Sequence, residues 1–307
     1  MALIKRITFF MLINIGLMVS IGVLVWVLQS VFGIKITPNL ADGYVSLAIY
    51  SAVYGFASAF ISLAISRMIA KWMYAIQLVK GERLMDWGSK VQTVYATVDR
   101  LAKSNGIKMP EVGVYDSQEP NAFATGPTKN RALIAVSQGL LDTMSQTEIE
   151  GVIGHEMAHV INGDMVTMTL LQGVLNTAII FVARILSSII AGALNKGDGD
   201  SSAWIEPIVN IALQIVLGFA AMFVSSAFSR YREYKADEGS AKMLGKKSMI
   251  ASLKRLQTLH DSLAGKIEGD DRIAAMQIST YKISRFMSTH PAIEDRIAAL
   301  EARYDLP

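Results

Sequence analysis

The chain has 307 residues, of which 52% are hydrophobic and only 18% charged, with a mean hydropathy of +0.37. That composition is too apolar for an ordinary soluble domain and points to membrane spans. The absence of cysteine excludes a disulfide framework and thiolate metal ligands, and a net charge of +3 argues against a nucleic-acid partner, so the lysines and arginines are read as markers of membrane topology.

Lys5 and Arg6 precede the charge-free run Ile7 to Ile34, longer than the roughly 20 residues that cross a hydrocarbon core of about 30 Å. A secretory signal peptide is the alternative. Against it, the run far exceeds a signal's apolar stretch of about 7–15 residues, and no small-residue cleavage site precedes the next apolar run. Gly43 to Ser66 is the second charge-free run, followed by Arg67, Lys71 and Lys80. Only Lys35 and Asp42 lie between the two, so the positive-inside rule predicts a hairpin with its turn outside and both flanks in the cytoplasm.

From Glu82 to Asn105 the residues Leu84, Val91, Val94, Tyr95, Val98 and Leu101 keep helical spacing, which predicts an amphipathic helix ended by Gly106. Three strand-like segments follow, Glu111 to Tyr115, Asn121 to Thr125 and Arg131 to Ser137, punctuated by Pro120 and Gly126-Pro127. They predict a small sheet.

Ser145 with Glu148 forms a capping box that starts a helix at Gln146, with Ile149, Val152, Ile153 and Val160 as its buried stripe and Asn162-Gly163 as its stop. On it lie His155, Glu156 and His159 in the pattern H-E-x-x-H. Residues four apart sit one turn above each other, so two imidazoles can reach one ion at about 2.0–2.1 Å each. Glu156 lies about 100° round the helix, close enough to act on a water without itself ligating. A chance pair of helical histidines is the bland alternative, but four histidines in the whole chain rarely fall this way. The metzincin extension is excluded, because it needs Gly at Asn162 and His at Met165.

Asp164 is placed to cap the helix that follows. Met165 to Ala183 is long enough to span, and Ile185 to Leu194 continues it past Arg184, which is read as snorkelling at the far interface, a functional arginine being the alternative. Asn195 to Ala203 is a turn-rich outer loop. Pro207 to Ser229 returns as the fourth run and delivers Arg230 and Arg232 to the cytoplasm. Tyr231 to Gly245 and Ser248 to Gly265 read as helices, Lys266 to Thr289 is mixed, and a last helix has Pro291 at its first position. The expected organisation is a membrane hairpin over 1–66, a soluble part over 67–164, a second hairpin over 165–229 and the other half of the soluble part over 230–307.

A hairpin brings its two ends together, so the segment Ser229 to Asp237 is expected beside the histidine pair. Glu233 and Asp237 lie four apart on one helical face, where one carboxylate can ligate while the other holds a ligand imidazole by its second nitrogen. A solvated helix whose carboxylates pair with Arg230, Arg232 or Lys235 is the alternative. Two histidines and Glu233 would leave the fourth zinc position to water, the arrangement of a catalytic site.

The motifs PNAFATG (Pro120 to Gly126), GHEMAHVINGD (Gly154 to Asp164), SRYREYKAD (Ser229 to Asp237) and STHPAIEDRI (Ser288 to Ile297), set in this order between two pairs of spans, resemble the HtpX-type bacterial membrane zinc metalloproteases. The chain is more distantly similar to the CAAX prenyl endopeptidases. The resemblance implies a mainly α membrane protein with four transmembrane helices and a mostly helical, zincin-like cytoplasmic metalloprotease domain with a small β-sheet. It implies one Zn2+ held by His155, His159 and Glu233, Asp237 behind a ligand, and His290 with Arg296 at the oxyanion. Asn121, Ala122, Phe123 and Ala124 become a substrate-binding edge strand, Asn121 holding a substrate carbonyl. His260 beside Asp261 is given no role.

The expected activity is zinc-dependent peptide hydrolysis at the bacterial cytoplasmic (inner) membrane, with Glu156 as general base and both termini cytoplasmic. The expected partners are the lipid bilayer and membrane-protein or unfolded polypeptide substrates, as in membrane-protein quality control. The competing classes are a non-enzymatic scaffold or chaperone-like binder with a structural zinc site, and a transporter, which a single Arg184 does not make.

Overall fold

The computed structural model describes residues 16, 18–31, 33, 36–194, 202–264, 290–303 and 305–306. The beginning of the run Ile7 to Ile34, the loop 195–201, the His260 side chain and the segment Lys266 to Thr289 lie outside the described residues. The fold is mostly helical, with a small mixed sheet, and divides into two compact units. One comprises the described parts of Met1–Ser62 and Met168–Ser225, the other those of Leu63–Thr167 and Ser226–Pro307.

In the first unit lie the short apolar helix α1 (Met18–Val31) and the apolar lengths of α2 (Tyr44–Met73), α6 (Asp164–Leu194) and α7 (Ser202–Leu244). Three helices are thus long and apolar enough to cross a membrane among the described residues, where the sequence predicts four. Ile211, Ile215 and Phe219 on α7 are 60%, 57% and 55% exposed, a surface that calls for a lipid solvent. α2 and α6 approach closely because Gly55 faces Thr177 and Gly173 faces Phe56, where a Cβ on either glycine would collide. α6 runs unbroken through Arg184, whose Nε donates to the Pro38 carbonyl at 2.7 Å while Nη1 lies 3.6 Å from Glu206. Arg184 therefore finds its partners in protein groups.

The second unit holds a four-stranded sheet of order β1-β2-β4-β3: β1 (Gln77–Val79), β2 (Glu111–Tyr115), β3 (Ala122–Thr125) and β4 (Leu133–Ser137). β2 and β4 are parallel, and the two outer strands run antiparallel to their neighbours. β4 is buried throughout, which explains its continuous apolar run. β1 was not expected, since three residues hold too little pattern to read. The single helix predicted from Glu82 is instead a 3₁₀ turn, Gly81–Asp86, and α3 (Ser89–Ser104), because Trp87 and Gly88 are extended. α4 (Gln138–Thr143) is a further unexpected helix, capped by the Ser137 hydroxyl. The last helix, α9 (Ile293–Glu301), begins after Ala292 as its N-cap, so Pro291 precedes the cap.

The second unit is built around α5 (Gln146–Asn162), which packs against α3, β3 and α8 (Lys246–Ala264). Its start is the expected capping box: Glu148 Oε2 accepts from Ser145 N–H at 2.7 Å, and Ser145 Oγ accepts from Glu148 N–H. Gly163 ends it in the left-handed conformation at φ 73°, donating to His159 and Val160 carbonyls. Ile149, Ile153, Met157 and Val160 are fully buried in the core, each contributing roughly 1.5–3 kcal/mol of apolar transfer.

A second face of α5 carries Gly151, Gly154 and Ala158, and its lack of bulk lets other helices come close. A Cβ at Gly154 would strike Ser240 and Leu244, and one at Gly239 would lie 2.8 Å from the Ala158 Cβ. Hydroxyls pin the contact, Ser240 to the Gly151 carbonyl at 3.0 Å and Ser252 to the Glu148 carbonyl at 2.7 Å. This close seating of α7 on α5 carries Glu233 and Asp237 to the histidines.

Candidate metal centre

His155 and His159 project from successive turns of α5, and their Nε2 atoms lie 3.1 Å apart. Glu233, one turn before Asp237 on α7, brings Oε2 to 3.2 Å from His155 Nε2 and Oε1 to 3.3 Å from His159 Nε2. Ligand atoms on a tetrahedral zinc, each about 2.0–2.1 Å from the ion, are separated by roughly 3.3 Å. The spacing therefore fits one small cation. Among the described residues, His155, His159 and Glu233 are the group of side chains whose ligand atoms come close enough together to hold a metal ion.

Each imidazole is oriented from behind. His155 Nδ1–H donates to Asp237 Oδ1 at 2.8 Å, which turns the Nε2 lone pair to the ligand centre. Arg296 on α9 grips Asp237 with Nε at 2.7 Å and Nη2 at 2.6 Å, and its Nη1 lies 3.6 Å from Glu233. His159 Nδ1 is bound by the Asp164 carboxylate at 2.5 Å. Sequence reasoning missed this partner, taking Asp164 for a helix cap; an acid just past the helix-ending glycine, on the side of the second histidine, was the available signal.

Buried charges set the electrostatics. Burial works against ionising Glu233, which is only 2% exposed, but the imidazoles of His155, His159 and His290 around it hold its carboxyl far below the usual range. Burial also opposes charging His159, yet Asp164 and Glu233 outweigh it and raise the imidazole to about 9. Asp237 is held low, against its burial, by Arg296 and His155. Glu156 is different. Burial is the largest influence and pushes its carboxyl up.

A cleft of about 320 Å³ has His155, Glu156, Glu233, His290 and Arg296 in its wall and Asn121 and Ala122 among its lining residues. His290, 63% exposed, places Nδ1 2.8 Å from Glu233 Oε2. Among the described residues β3 pairs only with β4, so its other edge is free. Phe123 and Ala124 lie on that strand outside the cleft lining, the Phe123 ring packing at a tilt against Tyr74 and Tyr115.

Residues 89–304 match the profile of peptidase family M48. The chain belongs to peptidase family M48. Over 303 residues it is 42% identical to the Protease HtpX of Alkalilimnicola ehrlichii, covering 97% of each chain. Over 305 residues it is 42% identical to the Protease HtpX homolog of Bacillus subtilis, covering 97% of this chain and 99% of that one. Its fold is similar to the crystal structure of the Ste24p of S. mikatae, with a TM-score of 0.63 at 18% identity, over 94% of this chain and 67% of that one. The resemblance to HtpX-type proteases read from the motifs is borne out. This M48 chain is a multi-pass membrane metalloprotease that acts on polypeptides, which removes the scaffold and transporter readings.

Proposed function

We propose that this M48 chain is a zinc-dependent endopeptidase of the bacterial cytoplasmic membrane that cleaves misfolded or damaged membrane proteins in segments exposed at the cytoplasmic face. The observation that carries the reading is the convergence of His155, His159 and Glu233 at about one zinc's ligand spacing, beside Glu156 in an open cleft. Two imidazoles and a carboxylate, in a chain without cysteine, are a donor set suited to Zn2+. When bound, the ion supplies Lewis acidity, lowering the pKa of a water toward about 7 and polarising the scissile carbonyl.

The protein's own groups do the rest. Glu156 takes a proton from water in the cleft and passes it to the leaving amine. His290 donates a hydrogen bond to the oxyanion, a contribution typically of about 3–4 kcal/mol. Arg296 adds positive charge in the same wall while its nitrogens keep Asp237 on His155. An extended substrate adds to the free edge of β3 through backbone hydrogen bonds, with Asn121 holding a carbonyl and Ala122, Phe123 and Ala124 forming the strand.

The topology follows from charge. In this reading the apolar run Ile7 to Ile34 of the sequence is the fourth span, and the positive charges of Lys5, Arg6, Arg67, Lys71, Arg230 and Arg232 support a cytoplasmic location for the termini and the metal centre. Because Asp164 at the metal centre is also the first residue of an apolar helix of membrane-crossing length, substrates emerging from the bilayer are the natural ones. Purified full-length protein in lipid should cleave a membrane-embedded substrate in a zinc-dependent, chelator-sensitive reaction. Cleavage of soluble unfolded proteins alone, with bilayer-embedded ones untouched, would overturn the substrate reading.

A further inference from the structure

The two imidazoles of the centre are supported unequally. Behind His155, Asp237 is clamped by two short bonds from Arg296. Behind His159, Asp164 has a looser cation, Arg232, with Nη1 3.7 Å from Oδ2. Among the described residues Arg232 Nε is buried without a hydrogen-bond acceptor, and the guanidinium, which also donates to Ser229 Oγ at 3.3 Å, lies against Asp164. Both carboxylate and guanidinium are largely shielded, at 10% and 16% exposure.

A helix-capping role for Asp164 does not account for this geometry. The carbonyl of Gly163 already accepts from Val166 and Thr167 at 3.0 and 3.2 Å, as a cap residue's does, while the Asp164 Oδ2 is spent on the imidazole. Gly163 ends α5 in the αL conformation directly before Asp164, whose carboxylate meets a histidine five residues earlier.

We propose that Asp164 is a positioning residue for the metal, fixing the tautomer and ring plane of His159, with Arg232 on α7 holding the Asp164 carboxylate in place. The inference rests on the reading of His155, His159 and Glu233 as the ligand set. It makes the first residue of α6 and a residue in the C-terminal part of α7 the support of one proposed ligand. An imidazole whose Nδ1–H is held by a carboxylate is a better and better-aimed donor at Nε2, and loss of such a partner typically costs about 10–100-fold in metal affinity.

The test uses the full chain in detergent or lipid, with Zn2+ affinity measured by competition against a chelator and the visible spectrum of the Co2+ form as a second readout. Asp164→Ala should weaken Zn2+ binding by about 10–100-fold and alter the Co2+ bands, with Asp164→Asn intermediate. The thermal midpoint of the ion-free protein should stay near that of a control such as Asp142→Asn. Arg232→Gln should produce a smaller loss of affinity in the same direction. Wild-type affinity and spectrum in Asp164→Ala, or a lowered ion-free midpoint with affinity intact, would overturn the proposal, and if Asp164→Ala does not fold, an unchanged affinity in Arg232→Gln does so. Failure of the wild-type chain to bind either ion would instead refute the ligand set itself, and the positioning role with it.

Discussion

Arg296 meets the Asp237 carboxylate at two points, Nε to Oδ2 at 2.7 Å and Nη2 to Oδ1 at 2.6 Å, with both residues buried. Truncating one side of such a pair strands a charge in a place water does not reach, at a cost of about 3–5 kcal/mol. Arg296→Ala should therefore lower the unfolding midpoint of the purified protein substantially and weaken metal binding through His155. A variant with wild-type stability would show that Asp237 does not depend on this guanidinium.

Glu156 lines the cleft but is not among the three proposed ligands. Glu156→Gln should keep a full complement of metal and lose about 10²–10⁴-fold in proteolysis, the usual worth of a positioned general base. Metal content and cleavage rate measured on the same sample decide it, and normal cleavage by the loaded variant would exclude the role.

Removing Glu233 takes away one of the three proposed ligands, the carboxylate that lies against both imidazole Nε2 atoms. Glu233→Ala should abolish stoichiometric metal binding at affinities where the wild-type chain is saturated, as read by elemental analysis after dialysis. Chelation of the wild-type protein should stop cleavage, and added zinc should restore it.

Gly151 lies where α5 touches α8, and a Cβ there would strike the Ser252 hydroxyl and approach the Ser248 carbonyl oxygen to 2.6 Å. A backbone atom cannot swing away as a side chain can. Gly151→Ala should cost about 1–3 kcal/mol of stability by overpacking, despite the better helix propensity of alanine. A stabilised variant in thermal unfolding would contradict the close approach.

Lys242, Arg303 and Lys235 hold Glu238 at about 2, below its ordinary 4.5. A carboxylate lowered in the folded state stabilises it fully above about 4.5, and that contribution is lost as pH falls through about 2. Glu238→Gln should flatten the acid limb of stability between those two values. An unchanged limb would mean that the cluster is not coupled to folding.

The capping box at Ser145, the αL stop at Gly163 and the H-E-x-x-H spacing are local, encoded within a few residues and one helical period, and all were legible in the chain. So were the apolar runs of α2, α6 and α7, because span length and charge asymmetry are additive along the sequence. β1 and α4 were not legible: three and six residues carry too little periodic signal, and their pairing partners lie elsewhere. Glu233 and Asp237 could be nominated from their spacing and the returning helix, but their distances to the imidazoles could not.

What the amino-acid order determined by itself was the chemistry on offer: two imidazoles and an acid on one capped helix, a carboxylate pair on another, and apolar lengths suited to lipid. What the tertiary structure decided was which groups face each other. The flush seating of α7 on the glycine face of α5 placed Glu233 between the histidines, assigned Asp237 to His155 and Asp164 to His159, and turned Arg296 inward. Those assignments depend on side-chain volume at Gly151, Gly154 and Gly239 and on the turn at Gly163. Contacts between residues far apart in the chain are set by packing, which no local pattern contains.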